Sequence, residues 1–246
     1  MTPSGNTILI TGGGSGIGRA LAHRLHDAGN HIIIAGRRLD ALHEAAEGRE
    51  RIAVVELDIA DPASIAALAR RVVADHPALN ILVNNAGVMR FEAVDAARDL
   101  GDAEEMITTN LLGPIRLTDA LVGHLSGQPN AAIVNVTSGL AFVPRTDAPT
   151  YSATKAAIHS YTVSLRHRLA GRVEVVELAP PGVQTDLTPG QASRDGYQPL
   201  DEFADEVISL WSQPAEILVE RVRPLRHAEA SGQFDQVLDR VNPALN

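Results

Sequence analysis

Cysteine is absent from the 246 residues. That excludes disulfides, thiolate nucleophiles, zinc fingers and iron–sulfur clusters, and it fits a reducing compartment. Basic residues are also scarce: 21 Lys and Arg against 30 Asp and Glu leave a formal charge of −9 with His neutral. Nucleic acids and anionic membrane surfaces both require clustered Lys and Arg, so neither is expected as the main partner. No apolar run approaches the ~18 residues that span a bilayer. Residues Met1 to Asn6 lack the basic start and apolar core of a secretory signal. The expectation is a soluble, cytoplasmic protein. What is present is a hydrophobic fraction of 45% with 20 Gly and 14 Pro, which excludes a disordered chain. The length suffices for one large domain with a substantial core.

Short β-branched runs alternate with stretches of helical period, the pattern of a βαβ array with a parallel sheet. Strands are predicted at Thr7–Ile10, His31–Ala35, Ile52–Leu57, Ile81–Asn84, Ala132–Val136 and Val173–Leu178. Most are nearly continuous apolar runs, which implies burial on both faces. The first helix, Gly16 to Ala28, places Ile17, Leu21 and Leu25 on one side and stops at Gly29-Asn30. Another opens at Asp61-Pro62, a cap followed by proline at the first helical position. The stretch Asp186–Leu200 differs, with Pro189, Gly190, Gly196 and Pro199 among polar residues ahead of a helix expected at Asp201–Trp211. A loop of that length inside a domain is usually functional or disordered. The fold class expected is α/β: one domain over residues 1–246, a doubly wound, Rossmann-like parallel sheet with helices on both faces, and a mobile lid at about 186–212.

Thr11-Gly12-Gly13-Gly14-Ser15-Gly16-Ile17-Gly18 follows the first strand directly and opens the first helix. Glycines there permit a tight turn, close backbone approach to a pyrophosphate and helix–strand packing, with the phosphates at the positive end of the helix. The spacing is Thr-Gly-x-x-x-Gly-x-Gly, neither Gly-x-Gly-x-x-Gly nor a Walker loop. At the end of the second strand an NAD site places an acidic residue for the ribose 2′-hydroxyl. Here the chain reads Ala35-Gly36-Arg37-Arg38. Gly36 leaves room where a carboxylate would repel a phosphate, and Arg37 offers a planar fork for a 2′-phosphate. NADP is thus favoured over NAD, against the plainer reading of two solvated arginines that start a helix.

Tyr151-Ser152-Ala153-Thr154-Lys155 begins a helix, and a spacing of four puts the Tyr and Lys side chains on one face. A free phenol, with a pKa of about 10, is a poor acid or base at neutral pH. A neighbouring ammonium favours the phenolate, so the pair should lower that value and make proton transfer practical. Ser138 ends the fifth strand, where open sheets bind ligands, and Asn84-Asn85-Ala86-Gly87 ends the fourth, with Asn110 in the helix after it. In this order and spacing, over residues 7 to about 185, the set resembles the short-chain dehydrogenase/reductase superfamily. The runs Asn110–Leu117 and Ala156–Tyr161 are similar to its DltE-like branch.

The resemblance implies roles. Tyr151 would be the acid for carbonyl reduction or the base for alcohol oxidation. Lys155 would assist it and hold the nicotinamide ribose, Ser138 would bond the substrate oxygen, and Asn110 would support a water linking Lys155 to solvent. Gly12, Ser15, Gly16, Ile17 and Gly18 would hold the pyrophosphate. Arg37 and Arg38 would face the 2′-phosphate, Asp58 and Ile59 would contact the adenine, and Asn85, Ala86 and Gly87 would line the cleft. Val183 and Thr185 would hold the carboxamide. Pro181 departs from the family by standing where a glycine is usual, which stiffens the backbone there. A seventh strand is expected around Ile217–Val222. A homodimer or homotetramer is implied on the same ground.

Substrate contacts are less legible. Arg90 could meet a substrate carboxylate or lie on the surface. Leu140, Phe142, Val143 and Tyr197 could wall an apolar pocket, or the first three could simply close the loop over the core. His23 and His26 invite a metal, but nothing completes a ligand set, and no metal is expected. The sequence therefore points to an NADP(H)-dependent oxidoreductase of the carbonyl reductase type, acting on a small carbonyl or alcohol substrate. An enzyme working mainly in oxidation, a non-catalytic NADP-binding redox sensor and a sugar-nucleotide epimerase are the alternatives.

Overall fold

In a computed structural model describing residues 1–242, six runs of five or six residues and one two-residue edge pair into one parallel sheet. The strands are β1 (Thr7–Thr11), β2 (His31–Gly36), β3 (Ile52–Glu56), β4 (Leu79–Asn84), β5 (Ala132–Val136), β6 (Glu174–Leu178) and β7 (Glu216–Ile217), in the order β3-β2-β1-β4-β5-β6-β7. Alternate residues feed two separate cores, as a pleated strand buried on both faces requires. Ile8, Ile10, Ile32, Ile34, Val134 and Val136 enter one; Leu9, Ile33, Leu82, Ile133 and Val175 enter the other. The first core is closed by α1 (Gly16–Asp27) and α2 (Leu39–Ala46), and the second by α3 (Pro62–Asp75). The expected α/β doubly wound domain is what the chain forms.

Four further helices complete the layers near the site. A single helical path carries α4 (Gly101–Ile107), a π-turn at Thr108–Leu112 and α5 (Gly113–Leu125). The long α6 (Pro149–Leu169) begins with proline in its first turn, as its fixed φ allows. α7 (Leu200–Ser209) packs against α1 and buries Phe203, Ala204 and Val207. Arg24 of α1 grips its exposed face through Asp205 (2.6 Å) and Asp201 (3.0 Å). No helix among the described residues is long and apolar enough to cross a membrane.

One expectation changes. The seventh strand pairs with β6 through Glu216 and Ile217 alone. Beyond it Val219 and Val222 are both fully buried, and a spacing of three suits the 3₁₀ turn at Glu220–Val222 instead of strand alternation. The segment expected as a mobile lid carries its own order: Val183 pairs with Gln198, and a 3₁₀ turn forms at Gln191–Ser193.

Phe203 is the largest side chain that α7 contributes to the first core. Phe203→Ala should cost about 3–5 kcal/mol, the usual range for deleting a buried ring, measured as a shift in the urea unfolding midpoint. A loss below about 1 kcal/mol would mean that α7 does not pack on the core.

Candidate active site

Strand order reverses at β1, whose neighbours β2 and β4 lead to opposite sides of the sheet, and the crevice lies beyond their carboxyl ends. Thr11 closes the two strands together there. Its hydroxyl accepts from the backbone N–H groups of Asn85 and Ala86, each at 3.0 Å, and its carbonyl accepts from the Asn85 amide at 2.9 Å. Gly12 turns the chain at φ +69°, and a Cβ on Gly18 would stand 2.3 Å from the Gly12 carbonyl oxygen. The loop can pack this closely only with glycine at both places. The first turn of α1 holds no acidic side chain, so its N-terminal N–H groups and dipole are open to an anion.

A cleft of about 540 Å³ runs from this loop to the start of α6. Of the residues expected at the cofactor, Gly12, Ser15, Gly16, Ile17, Arg37, Arg38, Asp58 and Ile59 line one half. Arg38 donates to the Ser15 hydroxyl at 3.1 Å, and among the described residues neither Arg37 nor Arg38 has a carboxylate partner. Asn85, Ala86, Gly87, Pro181 and Thr185 line the rest, together with Ser138, Tyr151 and Lys155. Gly18 and Val183 stand behind the wall. Val183 is buried, and Gln191 holds its carbonyl at 2.8 Å and the Thr185 hydroxyl at 3.1 Å. Gln191 and Thr11 are thus supporting residues to which sequence reasoning gave no role. Thr11 sat within a motif read for its glycines, and Gln191 carries no signal in a polar loop.

Burial decides the chemistry of the reacting end. Tyr151 is 7% exposed and packs with Met89 and Met106, beside Leu140. Its phenol is pushed up to about 12 by burial, against an interaction with the Ser138 hydroxyl that favours the phenolate. Lys155 is pushed down to about 8 by the same cause. Its Nζ donates to the Val136 carbonyl at 2.9 Å and lies 5.6 Å from the centre of the Tyr151 ring. The expectation that Lys155 lowers the Tyr151 pKa is therefore corrected: no effect of the ammonium offsets the loss of solvation.

Asn110 sits in the π-turn, an irregularity common at functional sites. Its amide accepts from the Val88 N–H and donates to the Val88 carbonyl, both at 2.8 Å. The missing Cβ of Gly87 marks the junction, 3.2 Å from Asn110 Oδ1 and 3.8 Å from Lys155 Nζ. Asn110 thus holds the Asn-Asn-Ala-Gly loop against the lysine.

The expected substrate residues separate. Arg90 lines the cleft but is paired with Glu105 at 3.0 Å. Leu140 borders Tyr151, whereas Val143 is fully buried with Ala228 and Val237, and Phe142 packs between His159 and Arg226. Val143 and Phe142 thus do not reach the cleft, because a 3₁₀ turn at Gly139–Ala141 directs them toward the C-terminal helices. Tyr197 stands among arginines instead of in an apolar wall. His23 bonds the Ala45 carbonyl, and His26 bonds Asp27. A separate group, His159, Glu177 and Glu216, gathers where Arg226 already supplies a cation to Glu216 at 2.9 Å.

A parallel sheet with a glycine turn at its reversal point and a Ser-Tyr-Lys set at the strand ends defines a dinucleotide-binding oxidoreductase class. The sequence profile of the short chain dehydrogenase family matches residues 6–195, and the chain belongs to that family. It is 38% identical to the uncharacterized oxidoreductase DltE of Bacillus subtilis (strain 168), over all of both chains. It is 32% identical to sulfoacetaldehyde reductase 2 of Chromohalobacter salexigens, over 93% of this chain and 98% of that one. A crystal structure of a short chain dehydrogenase from Burkholderia cenocepacia J2315 in complex with NADP superposes with a TM-score of 0.84 at 26% identity, covering 98% of each chain. The protein is a short-chain dehydrogenase oxidoreductase of the DltE-like branch, and its cofactor is a nicotinamide dinucleotide.

The buried lysine gives a pH-dependent stability. Its folded pKa, about 8, lies below its unfolded value of 10.5. Between these the unfolded chain holds more protons, so stability rises with pH across that window, and below it the full burial penalty applies. Lys155→Met should raise the melting temperature at pH 7. The penalty removed is about 3 kcal/mol at most, less about 1 kcal/mol for the lost hydrogen bond. The gain should shrink as the pH approaches 10. Thermal unfolding at both pH values checks it, and an equal gain at each would show that the lysine is not desolvated.

Proposed function

We propose that the protein is an NADPH-dependent carbonyl reductase with Tyr151 as its proton donor. The observation that carries this reading is one cleft with two chemically distinct ends. Ser138, Tyr151 and Lys155 meet at one end, and the other presents Arg37 and Arg38 with no acidic partner among the described residues. The glycine cradle and the free helix N-terminus fit a pyrophosphate between them. Arg37 and Arg38 favour a 2′-phosphate, because a hydroxyl alone gains little from an unpaired guanidinium.

When bound, the nicotinamide supplies the hydride that the carbonyl carbon receives. The protein supplies the proton. A phenol with a pKa near 12 is fully protonated at neutral pH and gives up its proton only as negative charge develops on the substrate oxygen. The Ser138 hydroxyl, beside it, holds that oxygen by hydrogen bonding. Lys155, still protonated at pH 7, returns a proton to the tyrosinate and sits beside Gly87, whose loop Asn110 holds. Oxidation would pass the same proton back to Tyr151, so the acid–base set serves either direction. The name of one relative, a reductase of an aldehyde, supports reduction.

A non-catalytic redox sensor would have no use for a buried acid–base set that destabilises the fold. A homodimer is supported by the exposed apolar side chains of Ile107, Leu112 and Val163 on neighbouring turns of the α4-to-α6 face. The segment 186–212 serves as the substrate lid, held to the cleft through Gln191 and Gln198.

Two substitutions test the reading. Tyr151→Phe should lower carbonyl reduction by at least about 10²-fold, the usual scale of general acid catalysis, while NADPH binding followed by fluorescence stays within a few-fold. Substantial residual turnover would remove Tyr151 from the proton step. Arg37→Asp should weaken NADPH about 100-fold, roughly 2–3 kcal/mol, and leave NADH nearly unchanged. Equal losses for both cofactors would make Arg37 structural.

A further inference from the structure

The proposed reduction leaves the substrate open, and the lid narrows it. Tyr197 lies over Gly182 so closely that a Cβ there would stand 3.0–3.1 Å from the ring carbons. Gly182 follows Pro181 of the cleft wall and precedes Val183, and its carbonyl accepts from the Gln198 N–H at 2.8 Å. Tyr197 is thereby fixed on the backbone beside Pro181, at the edge of the cleft wall.

The Tyr197 hydroxyl oxygen accepts from Arg145 Nη1 at 3.2 Å and from Arg194 Nη1 at 3.3 Å. Arg194 also stacks on the ring, its guanidinium carbon 5.2 Å from the centre. Arg145 is anchored beside Tyr151, because its backbone N–H donates to the Ser152 hydroxyl at 3.2 Å. Asp147 grips Arg145 through Nε and Nη2, which leaves Nη1 toward the phenol. Arg194 has no carboxylate partner among the described residues. With both arginines donating to it, the Tyr197 hydroxyl finds no acceptor among them for its own hydrogen. Two guanidinium groups and a phenol O–H therefore converge, rich in donors and carrying one uncompensated positive charge. Such a fork matches a planar or tetrahedral oxyanion.

We propose that Tyr197, Arg194 and Arg145, through the second hydrogen of its Nη1, receive an anionic group on the substrate, so that the substrates are short aldehydes or ketones bearing a carboxylate, sulfonate or phosphonate. The proposal rests on the reductase reading. The reaction remains a reduction of the carbonyl: hydride from NADPH to carbon, a proton from Tyr151 to oxygen, and the anionic group unchanged. Arg90 takes no part, since Glu105 already neutralises it.

Matched two-carbon aldehydes test it with NADPH: sulfoacetaldehyde and phosphonoacetaldehyde against glycolaldehyde and propionaldehyde. The anionic pair should exceed the neutral pair at least tenfold in kcat/KM. Arg194→Gln and Tyr197→Phe should each cut that ratio about tenfold, mainly through KM, whereas Arg71→Gln on distant α3 should leave it alone. Equal use of both pairs by the wild type, or variants that lower both pairs equally, would overturn the receptor. Binding is read apart from turnover by titrating the NADPH-loaded protein with ethanesulfonate, an unreactive anion, and watching the cofactor fluorescence. Ethanesulfonate binding that weakens about tenfold in the two variants supports the receptor even if no aldehyde turns over, in which case the reductase reading fails alone. Failure of the wild type to bind it overturns the receptor whatever the turnover.

Discussion

The Thr11 hydroxyl is the tie on which the site depends. It joins the carboxyl end of β1 to that of β4, the two strands between which the sheet reverses its order. Two backbone N–H groups that would otherwise be left unpaired at a strand end are satisfied by one oxygen. The loop after β4 is thereby pressed against the glycine turn, and a Cβ on Gly12 would meet Ala86 Cα at 3.0 Å. From the other side Asn110 closes a two-point bond on Val88. One segment of four residues is thus fixed at both ends, and the cofactor half and the reacting half of the cleft share it as a common wall.

The fold bears a cost for its chemistry. Tyr151 and Lys155 are both buried on one face of α6, and each is displaced toward its uncharged form. The sheet can carry this because its strands, from β1 to β6, are packed from both sides by apolar residues in two continuous cores. A half-buried sheet would have less burial to set against a desolvated ammonium. The double layer and the acid–base pair are therefore connected: the architecture that offers a crevice at its reversal point also supplies the stability that a buried lysine consumes.

Much of this was legible in the chain. Strand positions followed from apolar runs with their own turn signals, and the site motifs carried their meaning in spacing, as at Gly12–Gly18 and Tyr151–Lys155. What failed was what depends on a neighbour distant in sequence. The pKa of Tyr151 depends first on burial, among Met89, Met106 and Leu140, and then on the Ser138 hydroxyl, and no local pattern gives that balance. Phe142 and Val143 read as pocket residues because they follow Ser138, yet a 3₁₀ turn sends them to Arg226 and Ala228. Gln191, which braces Val183 and Thr185, is an ordinary polar letter until the lid folds back over it.

Charge gives a final instance of local order hidden within a bulk property. The chain carries −9 overall, which argues against a nucleic acid or an anionic membrane surface as the main partner. Such a field is screened over about 8–10 Å in physiological salt, so contacts at the cleft outweigh it. At those contacts the sign reverses. Among the described residues Arg37 and Arg38 stand without carboxylates at the cleft, and Arg194 stands without one in the segment after β6. Most other arginines with a described ionic partner, such as Arg24, Arg49, Arg98 and Arg226, are held by the acids that make the total negative. The acidic surplus and the basic end of the cleft are thus compatible: carboxylates neutralise cations such as Arg24 and Arg226 that hold elements together, while among the described residues Arg37 and Arg38 keep their charge for the cleft.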